Sequence, residues 1–122
     1  MANLLTKLPS ELQNVIKAVN KLTSAGNNST TINTTSDKLF LLSEIEIFGS
    51  TTFSFAGEGK QYEYYAAGNS PIKTVSGSAN NWWERSPNKG SSTDYFCYVS
   101  NTGGASIENA STSLGVSFAF CV

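Results

Sequence analysis

The residues of this chain that could do chemistry are few, and histidine is not among them. Without an imidazole the sequence lacks the usual general base at neutral pH, the usual activator of a serine or cysteine nucleophile, and the commonest zinc ligand. Two cysteines remain, Cys97 and Cys121. They cannot build an all-thiolate tetrahedral site, and they lack the C-x-x-C spacing of a redox pair. Each reads as a small buried apolar residue on a strand. A bridge between them would add about 3 to 4 kcal/mol by restricting the unfolded chain. Their spacing leaves bridge and free thiols both open, and the lack of a secretory signal favours reduced thiols. Arg85 beside Trp83 has the residue types of a site, but a buried, hydrogen-bonded structural arginine is the better reading. These features predict no enzyme, no metal and no cofactor.

Charge excludes further classes. Eight Lys and Arg face nine Asp and Glu, for a formal net charge of -1. No Lys/Arg cluster is present to neutralise phosphates, so no nucleic-acid partner is expected. No basic helix face suggests an anionic membrane surface, and Leu39-Phe40-Leu41-Leu42 is far too short to span a bilayer, so no membrane insertion is expected. Met1 to Lys7 lacks the long apolar stretch of a secretory signal, and no signal peptide is expected in this chain. Its 122 residues suit a single domain over 1–122, with a longer parent protein left open.

What remains is binding. Between Ser76 and Leu114 more than half of the residues are Ser, Thr, Asn or Gly. Such a composition usually marks a linker, yet Trp82, Trp83, Tyr95, Phe96, Tyr98 and Val99 interrupt it. A folded sheet with small polar outward positions accounts for both. Small hydrogen-bonding residues interleaved with tyrosines also make up antibody-like contact surfaces. A merely soluble, loop-rich surface is the alternative on composition.

The elements that would position this stretch follow from periodicity. Leu12, Val15, Ile16, Val19 and Leu22 recur at helical spacing and predict one amphipathic helix from Leu8, with Pro9 in its first turn and Lys17 and Lys21 off the apolar stripe. Gly26 or Asn27 would supply its left-handed C-cap. Ser29 to Ser36 suits an edge strand or loop. Leu39 to Leu42 reads as a buried strand. Ser43-Glu44-Ile45-Glu46 is a capping box opening a short helix that ends at Gly49. Gln61 to Tyr65 predicts another short helix or turn with its rings on the core. Trp82 and Trp83 would point to opposite faces of a strand. Phe96 to Val99 is a second strand, Asn101 to Gly104 a turn, and Ala105 to Glu108 a hairpin partner. Val116, Phe118, Phe120 and Val122 alternate, predicting a last strand with a committed apolar side.

Asn81-Trp82-Trp83-Glu84-Arg85-Ser86-Pro87, Phe96-Cys97-x-Val99 and the ending Gly115-Val116-Ser117-Phe118-Ala119-Phe120-Cys121-Val122 resemble the C-terminal region of C-type lectin-fold variable proteins. These are the targets of diversity-generating retroelements in bacteriophages and bacteria. The stretches Lys38 to Gly49 and Glu58 to Tyr65 are similar to the framework middle of one such family, so the likeness runs from about Leu8 to Val122. The sequence departs from the pattern at Ser117, where many relatives have Arg, and at Phe118, where many have Pro.

The resemblance implies an α+β, C-type lectin-like fold: a small twisted antiparallel sheet, an N-terminal amphipathic helix and a second short helix. It implies a variable region over about 80–117. Its fixed scaffold would be Trp82, Trp83, Arg85, Ser86, Pro87, Phe96, Cys97, Val99, Gly103, Gly115, Val116 and Phe120. The exposed, changeable ligand-binding set would be Asn88, Lys89, Ser92, Asp94, Tyr95, Tyr98, Ser100, Thr102, Gly104, Ser106, Ile107, Glu108, Thr112 and Leu114. Phe96 falls on the outward parity, which requires a bulge or a rim contact. The implied function is a display domain for an unknown protein or glycan receptor on a bacterial surface, carried by a phage tail or a bacterial cell surface.

Two other functions are weighed beside it. A lectin-like carbohydrate-binding domain without diversification is the alternative, but Ser86-Pro87-Asn88 lacks the carboxylate that a calcium-dependent sugar loop needs. An oxidase like the formylglycine-generating enzymes of the same broad fold would need closely spaced cysteines, which Cys97 and Cys121 are not.

Overall fold

Alternation at a period of two, rather than the helical stripe, decides the N-terminal third. A computed structural model describes residues 2–90 and 94–122. Helix α1 (Ala2–Leu5) and helix α2 (Ser10–Val15) are short, and α2 ends where Ile16 turns extended, with ψ 129°. Strand β1 (Val19–Gly26) then pairs antiparallel with β2 (Ser29–Asp37). The helix expected from Leu8 through Leu22 is therefore confined to one and a half turns. Lys21, placed off the apolar stripe by helical spacing, is buried, whereas Leu22, placed on it, is exposed. On a strand Val19, Lys21 and Thr23 share a face, and Lys21 has a buried carboxylate to reach.

Gly26 and Asn27 do not cap a helix either. Asn27 and Asn28 form the two-residue loop of the β1–β2 hairpin, with φ of 51° and 59°. Positive φ at both positions suits the twist of paired strands, and asparagine tolerates it better than most side chains.

The segment Leu39 to Leu42 carries core residues without becoming a ladder strand. Leu39, Phe40 and Leu42 are buried, and Phe40 makes an isolated antiparallel bridge to Ala119. Helix α3 (Glu44–Phe48) follows, with the expected capping box complete: Ser43 Oγ accepts from Glu46 N, and Glu46 accepts from Ser43 N. Gly49 closes it in the left-handed region at φ 69°. Helix α4 (Glu63–Ala66) places Tyr62 and Tyr65 against the core, while Tyr64 points to solvent. An exposed hairpin, β3 (Lys73–Val75) with β4 (Ser78–Asn80), had no counterpart in the sequence reading.

The main sheet is the antiparallel meander β5 (Trp82–Pro87), β6 (Tyr95–Val99) and β7 (Ala105–Asn109). Register pairs Trp82 with Val99 and Trp83 with Tyr98; a bulge interrupts β5 between Trp83 and Pro87. The free edge of β5 is covered, since Trp83 N donates to Gly115 O and Arg85 N to Leu42 O. That removes unpaired backbone groups that would otherwise invite another chain. Trp82, Val99, Phe40, Leu42 and Ile47 form the core cluster, and Trp82 Nε1 donates to Pro71 O at 3.0 Å.

The last segment corrects another expectation. Residues 115–122 make only isolated bridges, Trp82 to Gly115, Phe40 to Ala119 and Lys17 to Cys121. Val116, Phe120 and Val122 are exposed rather than committed to the core. Ala119 lies among the residues packed on the core cluster, while Phe118 of the alternating set is half-buried and lies tilted against Phe120. The chain is thus a small mixed helix-and-sheet protein with small antiparallel sheets. Cys97 is buried, Cys121 is exposed, and neither is bridged.

Candidate functional site

Strand β5 presents two different surfaces because its side chains alternate. On the inner side Trp82, Glu84 and Ser86 are buried. The carboxylates there are handled unequally. Glu44, at the start of α3, accepts from Phe53 N, Ser54 N and Ser54 Oγ at 2.7 to 3.3 Å. Its own N–H donates to Ser86 Oγ at 2.9 Å, which ties α3 to β5.

Glu46 holds the most connected position. One oxygen accepts from Lys21 Nζ at 2.6 Å and Tyr62 Oη at 3.1 Å; the other accepts from Ser43 N at 2.9 Å and Arg85 Nη1 at 2.5 Å. Burial alone would raise its pKa, but the hydrogen bonds from Arg85, Lys21 and Ser43 outweigh it and hold the carboxyl below its ordinary value.

Arg85 spends its planar fork entirely inside. It donates to the carbonyls of Leu22, Leu41 and Glu58, to Thr23 Oγ1 and to Glu46. This is the hydrogen-bonded structural arginine that the sequence suggested, nearly rather than fully buried, and its N–H donors are all engaged.

Glu58 and Glu84 are treated differently. Glu58 Oε2 accepts from Ser24 N at 2.8 Å, while among the described residues neither its Oε1 nor either oxygen of Glu84 meets a hydrogen-bond partner. Burial raises the pKa of both, that of Glu84 to about 9, with the Glu44 and Glu58 charges adding to the effect. Cys97, paired across from Ile107 on the same inner face, has its thiol pushed up by burial and then by Glu84, Glu44 and Glu58. A buried thiol held protonated beside carboxylates is a poor nucleophile.

The outer side of the sheet is built from Trp83, Phe96, Tyr98, Ser106 and Glu108, following the registers Trp83–Tyr98, Tyr98–Ser106 and Phe96–Glu108. Trp83 and Tyr98 meet edge to face, 6.2 Å between centroids at 80°. Beside them a concavity of about 240 Å³ is lined by Leu41, Trp83, Glu84, Arg85, Phe96 and Ala110. Phe96 thus meets its outward parity as a wall of this concavity, and the bulge in β5 lies opposite it.

The fourteen residues expected to contact ligand do not form one patch. Tyr98, Ser106 and Glu108 share the outer face. Ser100, Thr102 and Gly104 build the β6–β7 turn, where Ser100 Oγ accepts from Gly104 N and pairs with Thr102 Oγ1. At the opposite end of the strands lie Lys89, Asp94 and Tyr95; Lys89 Nζ donates to Thr51 O at 2.7 Å, and Asp94 O accepts from Ala110 N. Thr112 and Leu114 are half-buried in the chain leaving β7. Ser92 lies outside the described residues.

Three members were expected to face outward and do not. Asn88 is buried, its N–H donating to Tyr95 O. Ile107 pairs with Cys97, so the pleat puts it on the inner face. Tyr95 also shares the parity of Cys97 and Val99, half-buried at the end of β6. From the scaffold set, Val116 and Phe120 are exposed.

Sequence reasoning placed Glu46 in the capping box but missed its two cations and the burial of Glu44, Glu58 and Glu84. The available signal was parity: once Trp82 is inward, Glu84 and Ser86 must follow it. Among the described residues no group of three or more His, Cys, Asp or Glu side chains could hold a metal ion by itself.

This fold, a covered three-stranded meander clamped to a capped helix by a buried ionic knot, spans the reach of one known family. The chain matches DUF6273, described as a domain of unknown function, over residues 2–122, and it belongs to that family. No curated protein and no solved structure matches it.

Proposed function

We propose that this chain is a binding domain with a C-type lectin-like fold, a variable protein of a diversity-generating retroelement displayed on a phage tail or a bacterial surface. Its ligand is a protein or glycan receptor, and it carries out no catalysis. The outer face of the β5–β6–β7 sheet supports this reading. There Trp83 and Tyr98 stand beside an aromatic-walled concavity, while Arg85, which lines it, has its guanidinium engaged by Leu41 O and Glu46.

Contact by Tyr98 and Trp83 would supply affinity with little loss of side-chain freedom. Small polar residues such as Ser106, Ser100 and Thr102 would adjust the fit. Residues of this kind can change without touching the ionic knot behind the sheet.

The test is a Tyr98→Ala, Ser106→Arg double variant measured against bacterial surface fractions that capture the wild type. Loss of capture with an unchanged melting temperature supports the reading. Retained capture moves the contact surface elsewhere. The neighbouring DNA tests the diversification: a reverse transcriptase gene and a near-copy of the 3′ coding segment differing only at adenines are expected. Absence of both would leave an undiversified binding domain.

A further inference from the structure

We propose that the outer edge of β2 pairs with the same edge of a second copy of this chain, the two strands lying antiparallel about a two-fold axis at Thr34. The β1–β2 hairpin has two edges, and only one is sealed. On β1, Leu22 O accepts from Arg85 Nε and Nη2, and Ser24 N donates to Glu58 Oε2. These main-chain groups therefore point away from β2. In an antiparallel ladder two residues directly opposite each other either both bond across the pair or both point away from it. Thr34 lies opposite Leu22 and Ile32 opposite Ser24, and Ser36, opposite Asn20, follows in the same alternation. The N–H and C=O groups of Ile32, Thr34 and Ser36 thus face away from the hairpin. Among the described residues β2 is paired with β1 alone.

Short length, charge, proline and bulges are the means by which an edge avoids pairing. β7 has five residues and carries Glu108; β3 has three and begins with Lys73. β2 has nine residues, no proline, and a single charge at its last position, Asp37. Its register shift is confined to the hairpin end and leaves residues 32–37 in regular register. The edge also complements itself. With Thr34 on the axis, Ile32 meets Ser36 of the partner subunit, and Asp37 meets Thr31 of the partner subunit, so no like charges are opposed. Threonines facing each other across the strands are a favourable pair. The outward groups of Ile32, Thr34 and Ser36 then exchange about six main-chain hydrogen bonds with their counterparts. Two two-stranded hairpins, each marginal by itself, become one four-stranded sheet. Such a contact rests on main-chain bonds more than on apolar area, so the dimer is a weak, concentration-dependent one.

The experiment is sedimentation equilibrium of the purified chain over a wide concentration range. The average mass of the wild type should rise with concentration toward twice the monomer value. Thr34→Pro removes one outward N–H and leaves the bonds to β1 intact, so it should stay monomeric with the melting temperature of the dilute wild type. Thr34→Lys and Thr34→Glu each place like charges opposite each other at the axis, and each should be monomeric alone. Mixed in equal amounts at low salt, these two should dimerise again, a rescue that only this register provides. Should Thr34→Pro fail to fold, the Lys and Glu variants still decide. A wild type that remains monomeric at every concentration overturns the proposal, whether or not its edge captures a foreign strand. So does a folded Thr34→Pro or Thr34→Lys variant that dimerises as the wild type does, or a Lys–Glu mixture that stays monomeric.

Discussion

The two sides of strand β5 differ in how much of their bonding capacity is already spent. Inward, Ser86 and the neighbouring Arg85 fork are locked to α3, β1 and the 53–58 loop by named hydrogen bonds. Outward, Trp83 and Tyr98 touch each other, and the small polar residues around them bond within their own turns. A sheet whose register is held from behind can carry very different side chains in front. The contrast is one of bonding capacity: Trp82, Glu84 and Ser86 are buried at one parity of β5, while at the other Trp83 stays half-buried against Tyr98 and Arg85 turns its whole fork to main-chain and side-chain acceptors.

Arg85→Ala should break the inner side with the largest effect. It removes five sets of hydrogen bonds and leaves Glu46 with Lys21 as its only cation, a loss of about 3 to 5 kcal/mol for a disrupted buried pair. Denaturant unfolding measures it, and Arg85→Lys should recover little, because an ammonium cannot reproduce the planar fork. A variant as stable as wild type would show that the inner knot is dispensable.

The next test uses acid. Glu46 has a folded pKa below its ordinary value of 4.5. The folded state therefore holds fewer protons than the unfolded state in that range. Its contribution is present above about pH 4.5 and is lost as pH falls through the lowered folded value. The slope of stability against pH below 4.5 should flatten in Glu46→Gln, as read from melts at stepped pH. An unchanged slope would assign the acid sensitivity to another carboxylate.

Ser43→Ala removes the helix cap and the Ser43 Oγ bond to Glu58 O, and should cost about 1 kcal/mol, at most about 2. Smaller still is Tyr98→Ala, which forfeits the edge-to-face contact with Trp83 for about 1 kcal/mol or less. Its value lies in the contrast: ligand capture should disappear while the melt barely moves. If Tyr98→Ala destabilised the chain as much as Arg85→Ala, the outer ring would be core and the division between the two faces would fail.

Much of the C-terminal half was legible before any coordinates. The adjacent tryptophans split inward and outward, and Tyr95–Val99 and Ala105–Asn109 form a hairpin about the expected turn. The Ser43–Glu46 box closed as its spacing required. These are local rules, in which pleat parity and a three-residue reach suffice.

Elsewhere two local patterns competed. Val15, Val19 and Leu22 satisfy a helical stripe, while Val19, Lys21 and Thr23 satisfy a strand face; the second won because β2 is available for pairing and Lys21 finds Glu46. Val116, Phe120 and Val122 alternate as a buried strand would, yet the side packed on the core belongs to Ala119.

The sequence by itself determined the strand parities of the meander, the capped helix and the absence of histidine chemistry, because these depend on neighbours a few residues apart. Tertiary structure alone decided that Glu44, Glu46, Glu58 and Glu84 would meet in one interior. It also decided that only Glu46 among them would receive the two cations. Burial and pairing of charges depend on segments brought together from across the chain, and no local spacing encodes that sum.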